Sequence, residues 1–322
     1  MEVLSFNEYC SLQKSFVDVQ MTASKGWCAF NQLKKATSYY TDSKNNCSIL
    51  LFGCVKKIPF FGKIFYIQGF SMKAGAYKEL KECLNDLRNS GYIFVYISFI
   101  DLYDPKMEIA IRQAGFLRPL GHICCPMSLI VDLNNITSRN RNWRRNVKKA
   151  QDTGLVFKYI EKASKADIEE FCLMFKELSE RKSLGFSLDP IDIETLLHSG
   201  EEFKFFMVYD TDKRCIAGRI VYVQNNKSYD TFAANANFSK QCGATFFMME
   251  SIFSWLREHN VEQFDFGRIG PGDRSSNSVY EFKAASGGQP AAYMGEWGYF
   301  RSRWVELCYY IYYYCLRKNQ RY

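Results

Sequence analysis

The stretch that most restricts the fold of this chain runs from Ser228 to Phe266. From Ala244 to His259 the residues Phe246, Met249, Phe253 and Leu256, flanked by Phe247, Ile252 and Trp255, recur at helical spacing and give a broad apolar face. A β-rich run, Ser228 to Ala234, precedes this helix, and another, Val261 to Phe266, follows it. Strand, helix and strand in that order form a β-α-β unit with a right-handed crossover. Upstream, Phe203 to Tyr209 and Cys215 to Val223 read as a hairpin around Asp210 to Arg214.

The first half repeats this grammar with different residues. Cys47 to Val55 and Ile64 to Gly69 are apolar and β-rich, with Pro59 and Gly62 marking the turn between them. A helix is expected over Ala74 to Ser90, where Tyr77, Leu80, Leu84 and Leu87 keep helical spacing and Gly91 supplies a left-handed stop. Tyr92 to Ile100 follows as a buried strand and Met107 to Ala114 as a short helix closed by Gly115. The result is an α/β chain of duplicated design. At 322 residues it is long enough for two cores. A hydrophobic share of 47% against 24% charged residues argues against a disordered or fibrous chain.

Lys and Arg number 42 against 34 Asp and Glu, and the resulting +8 favours phosphate-bearing partners without choosing among them. The excess concentrates in Arg139 to Gly154, which holds Arg139, Arg141, Arg144, Arg145, Lys148 and Lys149. Two readings stand side by side: a solvated connector helix with Trp143 and Val147 as its buried edge, or a docking strip for phosphates. Twelve Cys without a C-x-x-C pair, and a start from Met1 to Gln20 without a signal-like segment, point to free thiols in a reducing cytoplasm.

No apolar run approaches a membrane span. The segment Trp304 to Leu316 is aromatic, is interrupted by Glu306 and is bracketed by Arg301, Arg303, Arg317, Lys318 and Arg321. It suits a helix lying on a membrane surface, at the inner face of the membrane, but packing on the second domain is the expected role.

Other chemistries find little support. The His residues are His122, His198 and His259, and His122 beside Cys124 and Cys125 lacks a second ligand pair, so no metal site is expected. There is no Gly-x-Ser-x-Gly elbow. Asp265-Phe266-Gly267 is not part of a protein kinase, since neither a Gly-rich ATP loop nor a His-Arg-Asp sequence precedes it. Gly267 to Gly272 lacks a P-loop ending and reads as a mobile cover loop.

Several stretches, in order, carry a resemblance. They are Trp27, Ile67-Gln68-Gly69-Phe70, Tyr96-Ile97-Ser98-Phe99-Ile100-Asp101, Gln113-Ala114-Gly115-Phe116 and Trp143 to Ala150 before Gly154-Leu155. The strongest is Phe264-Asp265-Phe266-Gly267-Arg268, followed by Tyr280-Glu281-Phe282-Lys283 and Gly287-Gly288. Together they resemble the Fem family of peptidoglycan-bridge aminoacyltransferases. The resemblance covers nearly the whole chain.

It implies two GNAT-like acyltransferase domains, each a mixed, mostly antiparallel sheet with a β-α-β unit and flanking helices. On this chain they are expected at 1–150, ending in the basic linker helix, and at 151–298, followed by a C-terminal aromatic and basic helix at 299–322. The implied reaction moves an amino acid from aminoacyl-tRNA to an amine on a cell-wall precursor, with no tightly bound cofactor and no metal. Related GNAT-like families use acyl-CoA, which leaves an N-acyltransferase of polysaccharide or lipid assembly as an alternative; a catalytically silent binding module is a third.

The resemblance associates Lys283 with the active site, where a fixed cation near the carbonyl oxygen stabilises the charge that amine attack builds there. Asp101 matches the acidic position of the first domain and is the candidate for taking the amine's proton, its competing role being to cap the Tyr103 to Pro105 turn. Phe282, Arg268, Arg181 and Tyr103 are candidate substrate contacts, with an Asp265–Arg268 pair at the strand end as the structural alternative for Arg268. Lys240, Gln241, Gly243 and Ala244 are a degenerate form of the GNAT phosphate loop, whose backbone N–H groups can cradle a pyrophosphate or a tRNA phosphate. Gly243 as a plain helix-start residue is the alternative.

Two departures bear on the acceptor. Phe30 stands where some Fem enzymes have a Lys, and the segment from Arg181 to Gly185-Phe186 is followed by Ser187-Leu188-Asp189 with no second Arg. The resemblance therefore favours an amine on a sugar, peptide or lipid other than a nucleotide-linked muropeptide.

Overall fold

The structure, a computed structural model, describes residues 1–119, 124–135, 139–269, 277–312 and 314, without the side chains of Lys240 and Asn277. The elements in chain order begin with β1 (Glu2–Leu4), α1 (Phe6–Gln13), a 3-10 turn (Met21–Ala23), α2 (Lys25–Gln32), β2 (Thr37–Thr41), β3 (Ile49–Ile58), β4 (Gly62–Met72), α3 (Tyr77–Asn89), β5 (Tyr92–Leu102) and α4 (Pro105–Gln113). They continue with β6 (Met127–Asp132), α5 (Arg141–Asp152), β7 (Val156–Ile160), α6 (Lys165–Lys182), α7 (Pro190–Ser199), β8 (Phe203–Tyr209), β9 (Cys215–Gln224) and β10 (Lys227–Asn235). The last are α8 (Ser239–Cys242), α9 (Ala244–Glu258), β11 (Gln263–Arg268), α10 (Asn277–Ala285), β12 (Gln289–Phe300) and α11 (Arg303–Ile311).

The chain divides into two compact units. The first takes Met1–Ser128, Arg268–Gly272 and Ala291–Tyr322; the second takes Leu129–Gly267 and Asp273–Pro290.

In the first unit the strand order is β1-β2-β3-β4-β5-β12. All neighbours are antiparallel except β4 and β5, which run parallel because α3 crosses between them. The α3 face of this sheet holds the larger core, with Leu80, Leu84, Leu87, Val95, Ile97, Ile111 and Trp297. The other face is covered near β2 and β3 by α1 and α2 through Tyr9, Cys28, Tyr39 and Phe52. Asp104, not Asp101, caps α4: its Oδ1 accepts from Lys106 N at 2.8 Å, ahead of Pro105 in the first turn.

In the second unit the order is β6-β11-β10-β9-β8-β7. Here β10 and β11 are the parallel pair, joined by α9, as the β-α-β reading requires. Helix α6 covers one face, where Phe171 comes so near Gly218 that a Cβ there would lie 2.6 Å from its ring. Helix α9 supplies Phe253, which meets Phe264 and Phe266 edge-on at centroid separations of 5.2 and 6.2 Å.

Sequence boundaries shift modestly. The first-half helix starts at Tyr77 rather than Ala74, and the basic helix occupies Arg141–Asp152, capped by Asn140 and burying Trp143 and Ala150. The larger correction concerns the C-terminal helix. Instead of packing on the second domain, α11 lies against the first unit: Tyr309 meets Phe94 of β5 at 5.2 Å and Phe300 of β12 at 5.3 Å. Ring contacts with Phe94 and Phe300 hold it there.

Candidate functional site

In both units the two parallel strands pair briefly and then separate. The β4–β5 register ends at Ile67↔Ile97, although the strands run on to Met72 and Leu102. The β10–β11 register covers Lys227–Tyr229 against Gln263–Asp265, while β10 continues to Asn235. A bulge between Asp230 and Phe232, in the pairing of β10 with β9, accompanies the second separation.

Lys283 reaches this place in the second unit. It stands on α10, and its Nζ donates to the main-chain oxygen of Phe266 at 2.8 Å, just past the last paired residue of β11. Its ammonium also lies 5.4 Å from the Phe266 ring centroid. Close packing around the ammonium pulls its pKa below the ordinary lysine value; Asp230 and Asp265 oppose this, and Arg219 adds to it.

Arg219 and Asp230 were not singled out from the sequence, yet they form the charged floor beside Lys283. Their side chains are 6% and 9% exposed, with Nε to Oδ1 at 2.9 Å and Nη2 donating to Oδ2 at 3.1 Å. The Arg219 side chain also touches Met249 of α9. Its signal in the sequence is an Arg centred in the apolar run Cys215 to Val223, where an unpaired charge would be costly.

Phe282, next to Lys283, turns into a ring cluster. It stacks on Trp143 at 5.3 Å and meets Phe246 at 5.1 Å. Trp143 Nε1 and Arg139 Nε both donate to Glu250 Oε2, at 2.9 and 2.8 Å, so α5 is pinned to α9. An open cavity of about 590 Å³ lies at this cluster, lined by Asn140, Asn142, Phe246, Tyr280, Glu281 and Phe282. The cations Arg141, Arg144, Arg145, Lys148 and Lys149 of α5 are exposed, and Arg144 and Lys148 edge a neighbouring groove of about 400 Å³.

Gly243 is buried and left-handed, with φ +74°, and a Cβ on it would stand 2.4 Å from the carbonyl oxygen of Asn146 in α5. Close approach of α5 therefore gives this glycine a packing reason. Ala244 is buried beside it and Gln241 is exposed; the side chain of Lys240 lies outside the described residues. Arg181 is exposed at the end of α6, with Nη2 3.4 Å from the Asn235 oxygen at the end of β10.

The remaining candidates belong to the first unit. Asp101 Oδ1 accepts from Gln20 Nε2 at 3.0 Å. Tyr103 is exposed, and its amide donates to Ala292 O at 2.9 Å. Arg268 does not rely on Asp265. Its Nη2 donates to Phe99 O at 2.7 Å and to Ser98 Oγ at 2.8 Å, and its Nη1 donates to Cys125 O at 3.1 Å; Asp265 Oδ1 instead accepts from Gly267 N at 2.8 Å. Near Arg268 the face of β4, β5 and β12 is polar. Tyr66 and Tyr96 stack at 4.9 Å, and the fully buried Glu296 accepts from Cys124 N at 2.7 Å. Burial pushes the Tyr66, Tyr96 and Cys124 pKa values up. The Gly267 to Gly272 loop lies largely outside the described residues, as does His122.

Parallel strands that part beside a crossover helix, once in each unit, define the architecture. FemX aligns with 93% of this chain and 97% of its own at a TM-score of 0.72 and 16% identity. The chain has the tandem GNAT fold. L-PGS from Bacillus licheniformis aligns over 94% of both chains at a TM-score of 0.68 and 15% identity. A tandem GNAT protein from the clavulanic acid biosynthesis pathway aligns over 92% of this chain and 94% of its own at 0.52 and 7%. The fold thus bears out the two GNAT-like domains that the resemblance to the Fem family implied.

Residues 137–284 match the family described as an acetyltransferase (GNAT) domain, in agreement with the reading of the chain as an acyltransferase. No curated protein matches the chain in sequence. Among the described residues, no helix is long and apolar enough to cross a membrane.

Proposed function

We propose that this tandem GNAT protein is a Fem-like aminoacyltransferase, moving an amino acid from aminoacyl-tRNA to an amine on a cell-wall or surface-glycan precursor or on a lipid. The observation that carries the reading is Lys283: a crowded ammonium of lowered pKa, tethered to one carbonyl where β10 and β11 separate, inside the segment that matches the GNAT domain. The fold shared with FemX and with L-PGS supports it.

In this reading the neutral amine attacks the ester carbonyl of the charged tRNA. Its carbon–nitrogen bond forms as negative charge collects on the carbonyl oxygen, and Lys283 turns from Phe266 O to donate to that oxygen. The ester carbon–oxygen bond then breaks, and the proton released by the amine leaves with the ribose hydroxyl. A lowered pKa makes the ammonium a stronger donor to an oxyanion than an ordinary lysine. Arg219 and Asp230 position Lys283, and the exposed cations of α5 meet tRNA phosphates.

The match to an acetyltransferase family favours a second reading, an acyl-CoA-dependent N-acyltransferase. Offering radiolabelled aminoacyl-tRNA and acyl-CoA separately, each with a panel of amino sugars, peptides and aminolipids, decides between them. Label transferred from tRNA is the expected result. Consumption of acyl-CoA alone removes the tRNA reading, and binding without consumption of either donor leaves a silent module.

A further inference from the structure

The first unit carries two exposed aromatic features that its core does not use. The β3–β4 hairpin closes with Ile58↔Gly62, so its tip is Pro59, Phe60 and Phe61. Phe60 is fully exposed and Phe61 is 68% exposed. Phe60 also adopts φ +64°, a left-handed conformation that a bulky side chain disfavours and that Gly, Asn or Asp would take at less cost. Neither local conformation nor core packing calls for Phe here. Lys56, Lys57 and Lys63, all exposed, flank the tip.

The second feature is α11. Tyr309 faces inward onto Phe94 and Phe300, which leaves Trp304, Leu307, Ile311 and Tyr312 pointing outward at helical spacing. Trp304 is 76% exposed, and no residue of the helix is buried. A surface helix normally shows the reverse pattern. Arg301 and Arg303, both exposed, stand at its start.

These features share one end of the first unit's sheet. Lys63 pairs with Tyr92, and a Cβ on Gly62 would lie 2.8 Å from Ile93, so the hairpin tip sits at the start of β5. Arg301 N donates to the same Ile93 through its carbonyl oxygen at 2.9 Å, which brings the β12–α11 junction to that end as well. We propose that the Phe60–Phe61 tip and the outer face of α11 form one docking surface for an anionic lipid bilayer.

Charge and shape select the occupant. The apolar residues project from a surface ringed by Lys56, Lys57, Lys63, Arg301 and Arg303, which complements anionic headgroups, while Phe and Trp favour the boundary between headgroups and acyl chains. A two-residue tip offers depth to a bilayer but little area to a folded protein partner, which needs about 800 Å² per side. The surface lies wholly within the first unit and goes beyond the proposed transfer reaction.

Co-sedimentation of the full chain with phosphatidylcholine vesicles, with and without phosphatidylglycerol, tests this without any donor or acceptor, so its failure leaves the transfer assay untouched. Binding is expected to the anionic vesicles and to fall with added salt. F60S/F61S should lower the partition constant about tenfold or more and Trp304→Ser about threefold, with the melting temperature unchanged because these side chains lie outside the core. Absence of binding to anionic vesicles overturns the proposal, as does binding indifferent to F60S/F61S. A concentration-dependent dimer in sedimentation equilibrium that the same variants abolish would also overturn it, by making a second copy the occupant.

Discussion

Each unit sets a cation against a main-chain oxygen just beyond the point where its parallel strands part, yet the two cations are held differently. In the first unit Arg268 donates to Phe99 O, Ser98 Oγ and Cys125 O, so a planar fork is fixed on several acceptors. In the second, Lys283 has one described acceptor, Phe266 O, and a pKa below the lysine norm. An Arg held in that way is suited to positioning, since its geometry is fixed and its charge permanent. A Lys on a single tether can change partners and respond to charge that appears during a reaction. On the proposed function the chemistry falls to Lys283 and Arg268 serves as scaffolding, although the sequence motif carries both residues within twenty positions.

The strongest challenge to this contrast is to remove the floor under Lys283. Asp230→Asn leaves Arg219 buried beside a neutral partner and should cost about 3–5 kcal/mol in urea-induced unfolding, because an unpaired buried charge is far more costly than a lost surface pair. A loss below about 1 kcal/mol would mean that the pair is solvated.

Arg268→Lys keeps the charge but loses the fork. A loss of about 1–3 kcal/mol is expected in the same assay, with transfer by the remaining folded protein near normal. A variant of full stability but much reduced turnover would instead make Arg268 a substrate contact and erase the contrast.

Gly243→Ala sharpens the account of α5. A Cβ 2.4 Å from Asn146 O, on a residue at φ +74°, is expected to cost about 1–2 kcal/mol with or without donor present. Destabilisation that bound acyl-CoA alone relieves would favour a pyrophosphate at this turn.

The smallest effect concerns pH. The folded-state pKa of Lys283 lies below 10.5, so between the two values the unfolded chain binds more protons and stability rises with pH. Comparing wild type with Lys283→Met by unfolding at a series of alkaline pH values should show this rise in wild type and its absence in the variant. Parallel curves would mean that the lysine is solvated in the folded state.

The elements with strong periodicity were legible in the sequence. Phe246, Met249, Phe253 and Leu256 announce α9, and Leu80, Leu84 and Leu87 announce α3, because one apolar stripe against a sheet leaves a helical repeat. β12 was not legible: Gly295, Glu296 and Gly298 interrupt any alternation, and Glu296 is tolerated only through partners such as Cys124 N from a distant segment. The same reason hid the floor of the candidate site. Arg219 and Asp230 belong to adjacent strands, and only the β9–β10 register brings them together. The docking of α11 on Phe94 and Phe300 depends on long-range aromatic contacts that composition does not reveal.

Single-turnover transfer by wild type and Lys283→Ala, with the donor that wild type consumes and with donor affinity and melting temperature measured in parallel, tests the central claim most directly. The account predicts a fall of about a hundredfold or more in the transfer rate, at unchanged affinity and with the fold retained. A rate within about threefold of wild type would contradict it and leave Lys283 as a structural tether for α10.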